Sequence, residues 1–193
     1  MPQPGQRAFT IVMVGMLKQL YKAPDVLIDA VAQCVREGLN LRLLMVGDGQ
    51  HRAELEQRAL RIGLQGRVCF LGSIPAGQAV RDILDTADLF VLPSRQEGLP
   101  RALVEAMARG LPCIGSTVGG FAELLPPDDL VVPGDAAALA EKIRAVVIDP
   151  PRQAAMAARN LEHARDYQAE RLRERRVQMY RHVLAATSSM RFS

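Results

Sequence analysis

Short apolar runs alternate with amphipathic stretches along most of this 193-residue chain. The runs at 9–14, 41–46, 67–70, 88–92, 112–115 and 130–132 are dense in Val, Ile, Leu, Phe and Met. Such runs predict strands buried on both faces, about six in all. Between most of them lie stretches such as 24–36, 50–62 and 77–86, where apolar residues recur at helical spacing. Strands that alternate with helices imply an α/β protein with a doubly wound, Rossmann-like parallel sheet. Ligands of such sheets bind outside the carboxyl ends of the strands. The loops at those ends are expected to begin at Gly15, Gly47, Leu71, Pro93 and Ser116.

The stretch after the fourth run carries the clearest chemistry: Pro93-Ser94-Arg95-Gln96-Glu97-Gly98-Leu99-Pro100-Arg101-Ala102-Leu103-Val104-Glu105. It reads as strand, glycine turn and helix, with Pro100 suited to the first helical position and Leu103, Ala106 and Met107 on an apolar face. Gly98 lets the backbone approach a ligand, and the helix start offers unpaired N–H groups and a positive dipole end, so an anion is the natural guest. Glu97 lies in the turn and Glu105 more than one helical turn further on. Together they can reach different parts of one elongated ligand, such as a phosphate-linked sugar. The rival reading is a plain surface pair, since Arg101 and Arg109 stand four residues to either side of Glu105.

Composition narrows the class. With 49% hydrophobic and 23% charged residues, the chain can bury a core as one globular unit. No apolar run approaches the length of a membrane span. Residues 1–5 have neither a cationic start nor an apolar core, so no secretory signal is expected. Cys34, Cys69 and Cys113 stand apart in apolar contexts, as buried reduced thiols do, which favours a reducing cytoplasm. Residues 152–193 hold nine Arg against four acids, a net of +5 within an overall +3, so residues 1–151 carry −2. Basicity, at a pI near 9.0, is therefore a property of the tail. There Leu172, Met179, Tyr180, Val183 and Leu184 form an apolar stripe bordered by arginines. Aromatics at 4% and the lack of a recognition module argue against nucleic acid. A nicotinamide fingerprint fails as well: Gly47-Asp48-Gly49 is followed by Arg52 where G-x-G-x-x-G needs its third glycine, and no phosphate-loop motif occurs. His51, His163 and His182 lie in charged helical contexts and are assigned no role.

The run from Pro93 to Glu105, continued by Ala106-Met107-Ala108-Arg109-Gly110-Leu111-Pro112, resembles the signature of the retaining GT-B glycosyltransferases of the family-4 type (glycosyltransferases group 1). Val14-Gly15-Met16-Leu17 leading to Lys22, Val46-Gly47-Asp48-Gly49, and Gly119-Gly120 before Glu123-Leu124-Leu125 match in the expected order. The resemblance spans roughly positions 9–149 and only the C-terminal, donor-binding half of that fold. It implies that residues 1–151 bind a nucleotide sugar, while 152–193 form a helical segment that crosses to an N-terminal acceptor domain absent from this chain.

By the same resemblance, Glu97 holds hydroxyls of the transferred hexose and Lys22 stabilises the departing diphosphate. Glu105 accepts hydrogen bonds from the ribose diol. The donor-binding set is completed by Gly15, Asp48, Leu71, Ser94, Gly98, Leu99, Pro100, Arg101, Gly119 and Gly120. Leu71 serves the base through its main chain, and Gly119 and Gly120 lead into a second helix start. The substrate is a UDP- or GDP-sugar, and relatives usually need no metal; Asp128-Asp129 is not a convincing metal motif. Lipid-linked or polysaccharide acceptors of cell-envelope or exopolysaccharide synthesis are implied.

Two departures from the family pattern stand out: Met16 occupies the place of a phosphate-binding arginine, and Ala122 that of a proline. Residue by residue, without the resemblance, Lys22 reads as a solvated lysine, and Asp48 reads equally well as a cap for a helix from Gln50. The tail stripe reads as a helix packed on its own domain, a homodimer contact or a peripheral contact with an anionic inner-membrane surface. For the isolated chain two functions remain: an inactive donor-binding half of a glycosyltransferase, or a stand-alone nucleotide-sugar-binding or regulatory module.

Overall fold

The structure is a computed structural model and describes residues 7–190, without the side chains of 188–190. The leader reading at 1–5 and the last three residues of the basic segment lie outside the described residues. Six strands, β1 Phe9–Val14, β2 Leu41–Val46, β3 Val68–Gly72, β4 Leu89–Val91, β5 Cys113–Ser116 and β6 Leu130–Val131, form one sheet in the order β3-β2-β1-β4-β5-β6. Every pair of neighbouring strands is parallel. β1 and β2 pair along their whole length, from Phe9 opposite Leu41 to Val14 opposite Val46. Ile11, Val12, Leu43, Leu89, Phe90 and Val91 are fully buried, which is why these strands are continuously apolar rather than alternating.

The helices are α1 Pro24–Arg36, α2 Arg52–Arg61, α3 Gln78–Leu84, α4 Arg101–Ala108, α5 Phe121–Leu124, α6 Ala136–Val147, α7 Pro150–Ala164 and α8 Ala169–Met190. α1 packs against α2 and α6, while α4 packs against α3 and α7. α1 starts on Pro24, whose missing N–H is no loss at a first turn, and Asp25 there complements the helix dipole. α6 and α7 are capped by Asp135 and Asp149, each accepting from a backbone N–H at 2.9 Å.

The division proposed after residue 151 falls inside α7. Met156, Asn160 and Ala164 of that helix are buried, and Asn160 donates to the Leu111 carbonyl at 2.9 Å. Arg152 and Arg159 pair with Asp129, a carboxylate only 2% exposed, at 3.1 and 2.5 Å. Burying that carboxylate requires both guanidinium groups, so α7 is held to the globular unit. Only α8 projects, with Leu172, Val177, Met179, Tyr180, Val183 and Leu184 exposed. Among the described residues no helix is long and apolar enough to cross a membrane.

Candidate functional site

The strand order reverses between β1 and β4, so the loops that follow these two strands flank a crevice at the carboxyl edge. Lys22 closes a 3-10 turn, Leu20–Lys22, and buried Ala23 behind it takes left-handed backbone (φ 53°, ψ 47°). From the other loop, Glu97 meets the Lys22 ammonium in a direct ion pair. The two side chains are 15% and 10% exposed, so the pair is largely shielded from water. Ser94, fully buried, donates through Oγ to the same Glu97 oxygen at 3.2 Å. Ser116 Oγ at the end of β5 donates to the Ser94 carbonyl at 2.6 Å. The ends of β1, β4 and β5 are thus joined by one polar chain, and the Lys22 ammonium also lies 5.3 Å from the Tyr21 ring centroid.

The glycine loops pack this edge tightly. A Cβ on Gly47 would lie 2.0 Å from the Gly15 carbonyl oxygen, and one on Gly49 would lie 2.2 Å from Leu17 and Lys18 backbone atoms. The Gly15 N–H donates to the Val46 carbonyl at 2.9 Å. Asp48 does not cap a helix from Gln50: α2 begins at Arg52, and His51 before it makes no side-chain cap. Instead the Asp48 carboxylate accepts from the Gly49 N–H at 2.7 Å and from Arg52 at 3.1 Å. Arg52 also donates to Glu56 at 2.8 Å and to the Phe70 carbonyl at 3.2 Å. The residue that spoils the glycine fingerprint therefore ties the β2 loop to β3.

β3 runs further than its apolar pattern suggests. Leu71 is not a loop start; Phe70 faces Met45 and Gly72 faces Val46, so Leu71 is the extra residue of a bulge.

Around the paired glutamates, α4 starts at Arg101 rather than at Pro100. Pro100 sits just before it with non-helical ψ of 85°, and its carbonyl accepts from the Leu103 and Val104 N–H groups at 2.9 and 3.2 Å. Gly98 has no atom within 4 Å of where a Cβ would stand, so no neighbour inside the chain requires glycine there; Leu99 beside it is exposed. Gly119, at φ 53°, abuts the Glu97 carbonyl, and the Gly120 N–H donates to the Gly98 carbonyl at 2.9 Å. α5 is a single turn, so Gly119 and Gly120 brace the Glu97 loop and the Gly120 donor is already used.

Arg109 turns away from Glu105 to make two bonds of 2.6 Å with Asp85. Among the described residues no ion pair involves Glu105 or Arg101, so the surface pair does not form. Met16 is 55% exposed after Gly15. His163, to which the sequence assigns no role, is half-buried with Nδ1 3.1 Å from the Leu124 carbonyl. Clefts of about 600 and 440 Å³ open at the opposite edge, near Asp88 and the strand starts, the larger of them lined in part by Asp85 and Arg109 and both away from Lys22 and Glu97.

Burial raises the thiol of Cys34 to about 11 and that of Cys113 further, so neither is a nucleophile at neutral pH. At Asp25, burial pushes the carboxyl upward, but the hydrogen bonds and charge of Arg95 outweigh it and hold the pKa below the usual carboxylate value. Pattern assigns no role to Arg95, which it offers only within the 93–105 run, or to Ser116, which it marks only as a loop start. The partners of Arg95 lie about 70 positions upstream, where no local periodicity relates them.

A parallel sheet whose order reverses between β1 and β4, with the Lys22–Glu97 pair and glycine-packed loops at its carboxyl edge, places the chain among the Rossmann-like α/β domains, a class whose ligands bind at that edge. Residues 8–149 match the family described as glycosyl transferases group 1, and the chain belongs to that family. Protein CapJ of Staphylococcus aureus is 28% identical over 177 residues, covering 90% of this chain and 45% of CapJ. HepE of Anabaena, solved in complex with UDP and glucose, is 30% identical with a TM-score of 0.74 over 81% of this chain and 43% of its own. Sucrose-phosphate synthase from Thermosynechococcus elongatus is 27% identical with a TM-score of 0.80, over 93% of this chain and 46% of its own. The chain spans about half the length of these relatives or less.

Proposed function

We propose that this chain is the donor-binding half of a retaining GT-B glycosyltransferase that moves a hexose from a nucleotide diphosphate sugar to an acceptor hydroxyl. The observation that carries this reading is the meeting of Lys22 and Glu97 at the switch point, with an unpaired Glu105 on the adjoining helix. In the reading, the donor diphosphate takes the Lys22 ammonium, which offsets negative charge building on the leaving group. Glu97, released, accepts hydrogen bonds from hexose hydroxyls. Glu105 accepts two from the vicinal ribose diol, as an ionised carboxylate can. The open space beside Gly98 and the start of α4 receive the phosphates, and the Leu71 bulge offers main-chain groups to the base. No metal is needed in this scheme. The UDP and glucose bound by HepE support the ligand class. The acceptor half lies elsewhere in the longer protein, and α8, with its exposed apolar side chains, packs on it.

Thermal melting with UDP, GDP and NAD tests the reading. A specific ligand at a hundredfold excess over its Kd stabilises by about 2.7 kcal/mol, which for a domain of this size raises Tm by about 5–10 °C. One nucleoside diphosphate should give that shift. A shift with NAD alone, or with none of the three, refutes the donor site.

A further inference from the structure

Arg95 stands two positions before Glu97, yet its bonds run to the opposite loop. Nη1 donates to the Leu20 carbonyl at 2.7 Å and to Asp25 at 2.9 Å. Nη2 donates to the other Asp25 oxygen at 2.7 Å. The Arg95 backbone N–H donates to the Tyr21 carbonyl at 2.6 Å. These acceptors bracket Lys22 in sequence: Leu20 and Tyr21 precede it and Asp25 follows. Between them Ala23 holds a left-handed conformation that a side chain disfavours, and fixed partners on both sides keep it there.

We infer that Arg95 is a positioning residue of the donor site: by bridging the Glu97 loop to both flanks of Lys22, it fixes the spacing of cation and carboxylate before a ligand arrives. Three of the five guanidinium N–H groups go to Leu20 and Asp25, so the guanidinium is oriented toward the Lys22 loop and its action on the ligand runs through Lys22 and Glu97. The Arg95 side chain is 39% exposed, and an ion pair so placed adds little to global stability. Its worth lies in the alignment of two groups that one donor must engage together. The positioning role rests on the donor reading, the bridge on the hydrogen bonds of Arg95 alone.

The test uses the whole chain labelled with nitrogen-15, and the variants Asp25→Asn, which keeps side-chain size, and Arg95→Gln, which shortens the side chain; each removes the charge pair. The Lys22 ammonium signal, assigned by its loss in Lys22→Arg, reports pairing with Glu97 without any ligand. Both variants should speed hydrogen exchange at that ammonium at least about tenfold, as local opening does, while the rest of the amide spectrum stays folded. In calorimetry the same variants should lose about tenfold in UDP-glucose affinity and about threefold or less in UDP affinity, because only the sugar donor needs both groups in register. Unchanged ammonium protection overturns the bridge, whatever the nucleotides do. Faster exchange with equal losses for UDP-glucose and UDP overturns the positioning role. Wild-type chain that binds neither UDP nor UDP-glucose counts against the donor reading instead, and the exchange measurement still decides the bridge.

Discussion

Replacing Gly119 by alanine should damage this protein far more than replacing Gly98, although both lie at the same crevice. At Gly119 the new Cβ would stand 2.0 Å from the Glu97 carbonyl oxygen, 2.8 Å from its carbon and 3.1 Å from the Gly98 oxygen. All three are backbone atoms, so no side chain can swing aside, and the contact must open by about 1 Å before it is tolerable. Gly119 also has φ 53°, where a Cβ costs about 1 kcal/mol or more. With an overpacking cost of about 1–3 kcal/mol, the expected loss is about 2–4 kcal/mol. At a urea m-value of about 2 kcal/mol/M, the unfolding midpoint should fall by about 1–2 M. Gly98→Ala meets no atom within 4 Å and should stay within about 0.5 kcal/mol of the parent. Its effect should fall on ligand affinity alone, because the added methyl would occupy the space assigned to the donor. A Gly119→Ala midpoint equal to the parent's would refute the steric reasoning; a Gly98→Ala protein that binds UDP-glucose normally would remove Gly98 from the site.

Three further outcomes are expected. Glu105→Ala should weaken nucleoside diphosphate binding in calorimetry by about 1–3 kcal/mol while leaving the urea midpoint in place, since the side chain is exposed and has no ion-pair partner among the described residues. Glu97→Ala should impair UDP-glucose but spare or tighten UDP, because it frees the Lys22 ammonium of its counter-ion; equal losses for the two ligands contradict the division of roles. Below about pH 4 the unfolded chain protonates Asp25 before the folded chain does. The stability its depressed pKa supplies is therefore present above that pH and lost as the pH falls through the folded value. Asp25→Asn should flatten that part of the urea-midpoint profile, and an unchanged acid limb shows that Asp25 has no such part.

The elements most legible in the sequence were those whose causes are local. β1, β2 and α1 occupy the predicted positions 9–14, 41–46 and 24–36, because unbroken apolar runs signal doubly covered strands and Pro24 marks a helix start. Pattern reading failed where a particular partner, rather than a period, decides. Leu71 belongs to β3 because Gly72 pairs beyond it, and Asp48 serves Arg52 rather than a helix start. Arg109 was within reach of Glu105 by spacing, yet the fold brings Asp85 to it from α3's end. α7 joins the globular unit because Asp129 lies buried between two of its arginines. Lys22 and Glu97 were both legible as candidates, but not their mutual contact, which follows from the adjacency of β1 and β4 in the sheet.

That contact also bears on what the crevice turns away. Inorganic phosphate could claim the Lys22 ammonium only by stranding Glu97, and a free sugar could claim Glu97 only by stranding Lys22. Leaving one member of a shielded pair without its partner costs about 3–5 kcal/mol where burial is complete, more than a small ligand's few hydrogen bonds return. A molecule that carries diphosphate and sugar hydroxyls together satisfies both members at once. In the proposed scheme the crevice therefore discriminates against inorganic phosphate and free sugar, whereas a nucleoside diphosphate offsets the stranded Glu97 with its own ribose and base contacts.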